Sequence, residues 1–356
     1  MIHKETLTKE WIMQFRERPE LKKNDPALIE KMIFALYLLE CLAKQPFDFV
    51  FKGGTSLILI LDESYRFSVD IDITSSISRA EIEGVLQKVV ENSAFESFKL
   101  DEDRSYENAA IPKAHYFLYY KSSFNNAANY ILLDILFKEN VYAETKKTDI
   151  KSQWLKYSEP VVSVITPTVN AILGDKLTAF APNTTGVPYL KRKEVEIIKQ
   201  LFDISVLIEK ADDYKQVYDS FNKVVAEEIS MRKIVIVGKD VLDDIVDTAL
   251  LIARRDKNKD KDAEKFKEIL LGLSKINNFI ISGNFRIDEA IEASAKAAWF
   301  ALKLERNNYD SMTLFNEKMD VSQLNIKDKE WGFLNKLKKS NKPAFYYWHQ
   351  CFKERI

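Results

Sequence analysis

The amino-acid sequence predicts a mixed α/β front half followed by an all-helical second half. Three observations carry this. Between residues 47 and 165, short apolar or alternating runs of strand length are interleaved with helical stretches. Beyond Thr166-Pro167 the strand patterns cease, and one segment after another keeps helical spacing. Gly and Pro are scarce, at 9 each in 356 residues, which argues for many helices and few tight turns, and against a β-sandwich.

Taken in order, Asp25-Pro26 reads as the N-cap and first position of a helix. Ile29, Met32, Ile33, Leu36, Leu39 and Ala43 keep its period to about Lys44. A short strand, Phe47 to Phe51, ends at the Gly53-Gly54 break, and Thr55 to Leu61 suits a buried helical turn or two. Phe67 to Thr74, FSVDIDIT, alternates as a strand. Ser78 opens a helix to about Asn92, and Phe95 to Leu100, Ala114 to Lys121, Tyr130 to Phe137 and Val161 to Ile165 read as further strands. Helical spacing then covers residues 168–179, 191–209, 214–228, 241–255, 262–271, 288–305 and 328–338. The domain boundary is placed near Thr166, giving domains 1–166 and 167–356. The charge run from Arg254 to Lys267 reads as a solvated helix–helix connection.

A formal charge of −1 supplies no global field toward nucleic acid or anionic membrane, so any polyanion must be met by a local patch. Cys41 and Cys351 lie far apart and form neither a disulfide framework nor a zinc spacing, which fits a reducing cytoplasm. The start, MIHKETLTKEW, has no apolar signal core, and no run approaches the roughly 20 apolar residues of a membrane span. His3, His115 and His349 are too scattered to suggest a histidine metal site.

Asp70 and Asp72 lie two apart on the predicted strand, so both carboxylates share a face. Like charges held together call for a cation or for water between them, and oxygen-only ligands suit Mg²⁺ or Mn²⁺. Asp134 is a lone acid in the apolar strand YILLDILF and needs a partner of its own. A metal shared by Asp70, Asp72 and Asp134 would supply one, and three such acids can hold two ions for phosphoryl or nucleotidyl transfer. Ahead of this strand, Gly53-Gly54 opens a helix beginning Thr55-Ser56, where backbone N–H groups and hydroxyls favour phosphate. The blander alternative, an exposed edge strand after a simple turn, accounts for each piece separately.

Phe51-Lys52-Gly53-Gly54-Thr55-Ser56-Leu57, followed by Arg66-Phe67-Ser68-Val69-Asp70-Ile71-Asp72, resembles the AbiEii/AbiGii family, nucleotidyltransferase toxins of type IV toxin–antitoxin and abortive-infection systems. Lys176-Leu177-Thr178-Ala179 resembles the family's Lys-Leu-x-Ala helix. Lys199-Gln200-Leu201-Phe202-Asp203 resembles its Arg-Asp-x-x-Asp helix, with the first acid missing. The resemblance covers about Phe47 to Leu207.

The resemblance implies a minimal polymerase-β-like nucleotidyltransferase domain followed by a helical domain that completes the nucleotide site. It implies NTP and Mg²⁺, with Asp70 and Asp72 binding metal and Lys176 and Asp203 completing the nucleotide site. Asp134 sits where such a fold puts a third carboxylate, as metal ligand or general base. Gly53, Gly54, Thr55, Ser56, Arg66, Ser68 and Lys176 are the expected nucleotide contacts. The implied acceptor is RNA, with tRNA foremost, and a cognate antitoxin encoded alongside counteracts the toxin. Two other functions fit the same residues: a non-catalytic nucleotide-binding interaction protein, and a kinase-like or protein-nucleotidylating enzyme. The tail from Lys336 to His349 mixes cations with aromatics, as RNA contacts do, but reads more simply as a helix packing Phe345, Tyr347 and Trp348.

Overall fold

Residues 1–61, 63–102 and 112–355 are described by the computed structural model. They fall into two units, Met1–Thr168 with Asn278–Gly283, and Val169–Asn277 with Asn284–Ile356.

In the first unit, α1 (Lys9–Gln14) precedes α2 (Pro26–Ala43). Asp25 caps α2 by accepting from the Ala27 N–H at 2.9 Å, and Pro26 takes the first turn without losing a hydrogen bond. Residues all round α2 are buried, so it is a core helix. There follow β1 (Val50–Lys52), α3 (Gly53–Ile60), β2 (Ile71–Ser75), α4 (Arg79–Glu91), β3 (Phe95–Leu100), β4 (Lys113–Lys121), β5 (Ala128–Phe137), β6 (Thr145–Asp149) and β7 (Ser163–Pro167). Among the described residues they form one seven-stranded sheet in the order β3-β4-β5-β2-β1-β7-β6. The β2–β5 and β1–β7 pairs are parallel and the rest antiparallel.

Strand alternation divides the sheet into two faces. Tyr116, Leu118 and Tyr120 of β4 and Ile131, Leu133 and Ile135 of β5 are buried on one face, where Phe34 of α2 stacks on Tyr120 at 3.7 Å. The intervening residues, among them His115 and Asp134, are only half-buried on the other.

Two strand expectations are corrected. The strand predicted from Phe67 begins only at Ile71. Residues 65–67 are instead tied to the returning segment Asn278–Gly283: the Phe67 N–H donates to Phe279 O at 2.8 Å and the Ile281 N–H to Tyr65 O at 3.2 Å. Asp70 therefore lies outside β2. The strand expected over Phe47 to Phe51 is Val50–Lys52, and β6, with its polar TKKTD sequence, was not anticipated.

The second unit is helical: α5 (Val169–Ala179), α6 (Glu194–Lys210), α7 (Tyr214–Arg232), α8 (Gly238–Arg254), α9 (Asp260–Ile276), α10 (Ile287–Glu305), α11 (Leu337–Ser340) and α12 (Lys342–Arg355). The backbones of α5 and α7 approach closely because Gly174 has no side chain; a Cβ there would stand 2.7 Å from Phe221 N and Val217 O. The turn after α5 is held by buried Asp244, which accepts from the Asn183 N–H at 2.8 Å and the Thr184 hydroxyl at 2.9 Å. The charge run is split, with α8 ending at Arg254 and α9 starting at Asp260, so its second half is helical.

The helix expected over 328–338 is instead a turn and a short 3₁₀ helix, Gly332–Lys336, leading into α11. The Asp328 carboxylate takes the Glu330 and Trp331 N–H groups at 2.8 Å each and sets that turn. The tail is a packed helix, with Phe345, Tyr347 and Trp348 all buried. No helix among the described residues is long and apolar enough to cross a membrane.

Candidate active site

A row of polar side chains crosses the open face of the sheet. Lys52 on β1 is the register partner of Asp72 on β2, Asp72 that of Asp134 on β5, and Asp134 that of His115 on β4. Strands lie about 4.8 Å apart, so four consecutive strands set a cation, two carboxylates and an imidazole side by side. His115 Nδ1 and Asp134 Oδ1 are 2.6 Å apart.

The loop in front of the row is built against it. β1 passes directly into α3 at Gly53, whose φ of +74° is a conformation that favours glycine. The Asp72 carboxylate packs on the Gly53 backbone, where an added Cβ would meet Oδ2 at 2.1 Å. Gly54 is covered in the same manner by the Arg66 guanidinium, 2.6 Å from the position of its missing Cβ, and by the Ser68 hydroxyl at 2.9 Å. No side chain caps the start of α3, which leaves its first amides available to an anion.

The hydroxyls expected to meet phosphate have other partners. Thr55 donates to the Asp70 carbonyl at 2.5 Å and lies 2.9 Å from Ser68 Oγ, and Ser56 donates to the Gly53 carbonyl at 2.9 Å. Both residues are fully buried and hold the loop's shape. Arg66 is also buried and donates to the Phe67 carbonyl at 3.0 Å.

Gly53→Ala meets both a strained φ and the Asp72 carboxylate. We expect it to cost about 1–3 kcal/mol and to lower activity through displacement of Asp72. Urea denaturation beside a transfer assay measures both; a variant as stable and active as the parent would refute this packing.

Asp72 and Asp134 face each other, Asp70 is exposed ahead of β2, and among the described residues no group of three or more His, Cys, Asp or Glu could hold a metal ion. The donor set that remains is all oxygen on the Asp side, and Asp134 is paired with His115. That histidine was passed over in the sequence, although it interrupts an apolar strand just as Asp134 does.

In the second unit, α6 turns an apolar face inward through Ile197, Ile198, Leu201 and Ile204, with Asp203 on it at 2% exposure. Lys176 of α5, 6% exposed, reaches this acid at 3.0 Å and also donates to Gln200 Oε1 at 3.0 Å. Gln200 thus supplies a neutral oxygen at the motif position that lacks its acid.

Comparison with known proteins gives one family match and distant structural likeness. The structure of JHP933 from Helicobacter pylori aligns at 16% identity and a TM-score of 0.43, covering 78% of this chain and 91% of that one. A second H. pylori structure, provisionally described as a nucleotidyltransferase, aligns at 16% identity and a TM-score of 0.43, covering 79% and 94%. At these values neither structure adds to the assignment. No curated protein matches. The family model described as nucleotidyl transferase AbiEii toxin, type IV toxin–antitoxin system, matches residues 37–279. With well over half of its length matched and the Gly-Gly loop and acid row inside that span, this chain belongs to the AbiEii family of nucleotidyltransferase toxins.

Proposed function

We propose that the chain transfers a nucleotidyl group from a nucleoside triphosphate to the terminal hydroxyl of an RNA, with tRNA the first acceptor to test. The observation that carries this reading is the row Lys52, Asp72, Asp134 beside the uncapped start of α3. It supplies cation, carboxylates and open amides together, which a simple edge strand does not need.

In this reading the triphosphate lies at Gly53 and Gly54, with Lys52 and Arg66 adding positive charge. Thr55, Ser56 and Ser68 keep the loop in shape. Asp70 and Asp72 hold a divalent ion, Mg²⁺ or Mn²⁺. Such an ion binds through one or two carboxylates while keeping waters and substrate phosphates, so it needs no preformed group of three acids. Bound there, it offsets phosphate charge. Asp134, oriented by His115, takes the proton of the acceptor hydroxyl as that oxygen bonds to the α-phosphorus. The bond from α-phosphorus to the bridging oxygen breaks, and pyrophosphate leaves. Lys176, held by Asp203 and Gln200 within the second unit, is carried by its motif alone as a point charge for phosphate. These substrates make the cytoplasm its place of action, where modified RNA halts translation and a cognate antitoxin counteracts the effect.

Incubating the purified chain with Mg²⁺, total RNA, a protein extract and each NTP labelled at the α- or γ-phosphate tests this. We expect α-label on RNA of tRNA size, lost with a chelator. Label on protein favours a protein-nucleotidylating enzyme, transfer of γ-label a kinase, and binding without turnover a non-catalytic role; any of these three overturns the proposal.

A further inference from the structure

The strand that bears Asp134 carries a second feature on the same face. Across β4 and β5 the register sets Phe117 opposite Leu132 and Tyr119 opposite Tyr130, on the side of the sheet that presents His115 and Asp134. Three rings meet there. The centroids of Phe117 and Tyr130 are 4.9 Å apart, edge to face, and those of Tyr119 and Tyr130 are 6.0 Å apart. Tyr130 is 41% exposed, and the other two are half-buried.

Cations flank the rings. Lys99 of β3 is the register partner of Phe117, and Lys121 follows Tyr119 on the same face. Lys31 Nζ lies 4.8 Å from the Tyr130 centroid. Lys121 is paired with Glu96 at 3.2 Å, but both side chains are largely exposed, and such a pair yields readily to a polyanion.

Cross-strand aromatic pairs stabilise sheets, which explains Phe117 against Tyr130. It does not explain an open ring cluster ringed by lysines on the face of the acid row. We propose that this face binds the single-stranded end of the RNA acceptor, its bases stacked on Phe117, Tyr119 and Tyr130 and its phosphates against Lys99, Lys121 and Lys31. The proposal rests on the RNA-acceptor reading above. Stacking on aromatics of an open sheet is a recurrent way to hold splayed bases, and it tolerates any base because each has a π face. Tyr130 and Asp134 are four residues apart on β5, about 13 Å at about 3.3 Å per residue. A strand of RNA lying along β5 therefore brings its terminal hydroxyl to Asp134 while the preceding bases rest on the rings.

The test uses the full chain and a fluorescein-labelled, twelve-nucleotide single-stranded RNA with a free 3′-hydroxyl, read by anisotropy. Tyr119→Leu/Tyr130→Leu keeps apolar bulk but removes the stacking rings. We expect it to weaken RNA binding about tenfold or more, while binding of labelled NTP is unchanged and the melting temperature stays within a few degrees. Tyr130→Leu alone, at the most exposed ring, carries the test if the double variant does not fold, with a smaller loss expected. Lys99→Gln/Lys121→Gln should reduce the salt slope by about 1.4, at about 0.7 per phosphate contact.

Equal RNA binding by parent and ring variants overturns the platform and leaves the RNA reading standing. A parent that labels folded RNA without binding the single strand overturns it as well. Label appearing only on protein removes the RNA reading and the platform together.

Discussion

Asp72→Asn reduces nucleotidyl transfer by about a thousandfold or more in our expectation, and leaves the fold intact. The carboxylate stands between Lys52 and Asp134 in the row and touches the Gly53 backbone. In the proposed mechanism, removing its charge takes away the electrostatic partner of the divalent ion beside the phosphates, and losses of that size follow from such changes. Asp72 is half-buried and the amide is isosteric, so stability should shift by no more than about 1 kcal/mol. Transfer of label from α-labelled NTP, read beside a thermal melt and beside growth of cells expressing the variant, separates the two effects. Retention of a tenth of the activity, or growth arrest as severe as with the parent, would remove Asp72 from the chemistry. Asp70→Asn is the companion test of the ion site. Its side chain is exposed, so a loss of activity there has even less structural explanation.

The second large effect is expected at Lys176 and Asp203, 3.0 Å apart and both nearly inaccessible. Breaking a buried pair from one side leaves a charge without compensation. Asp203→Leu alone should therefore cost about 3–5 kcal/mol, and Lys176→Met a similar amount. Replacing both with apolar side chains of similar volume should recover most of that loss, because the desolvation of both charges disappears with them. Chemical denaturation of the two single variants and the double variant closes the cycle. The double variant then decides the role of the pair. A stable protein without activity gives the pair a role in the chemistry, whereas one that regains both stability and activity makes it a structural strut.

Much of the architecture was legible in the sequence because it rests on local periodicity. The α2 helix announced itself through Asp25-Pro26 and its apolar spacing, and β4 and β5 through apolar and aromatic runs of strand length. The failures have different causes. Phe67 to Asp70 alternates as well as any strand, yet its backbone is committed to residues 279–281 and to the Thr55 hydroxyl, so pairing in the sheet begins only at Ile71. Polar β6 has no apolar alternation to reveal it, being an edge that pairs on one side only. Between 328 and 338 the helical spacing was genuine and Asp328 caps its first turn, but the turns that follow take the tighter 3₁₀ form before Leu337. At the site, the Gly-Gly loop and the Asp-x-Asp pair were visible from spacing alone. The partnership of His115 with Asp134 was not, because no local pattern reports that these two residues, 19 positions apart on neighbouring strands, will meet.

The segment at 278–283 gives the chain a sense of timing. Synthesis runs from the N-terminus, and elements fold as they emerge. Asp70 and Asp72 leave the ribosome some two hundred residues before Phe279 and Ile281, whose backbones tie down Tyr65 and Phe67. The family match itself runs on to residue 279. Until that point the backbone leading to the acids lacks the hydrogen bonds that hold it. A chain that stops short of residue 279 therefore carries both acids but not the two backbone hydrogen bonds that fix the segment ahead of them.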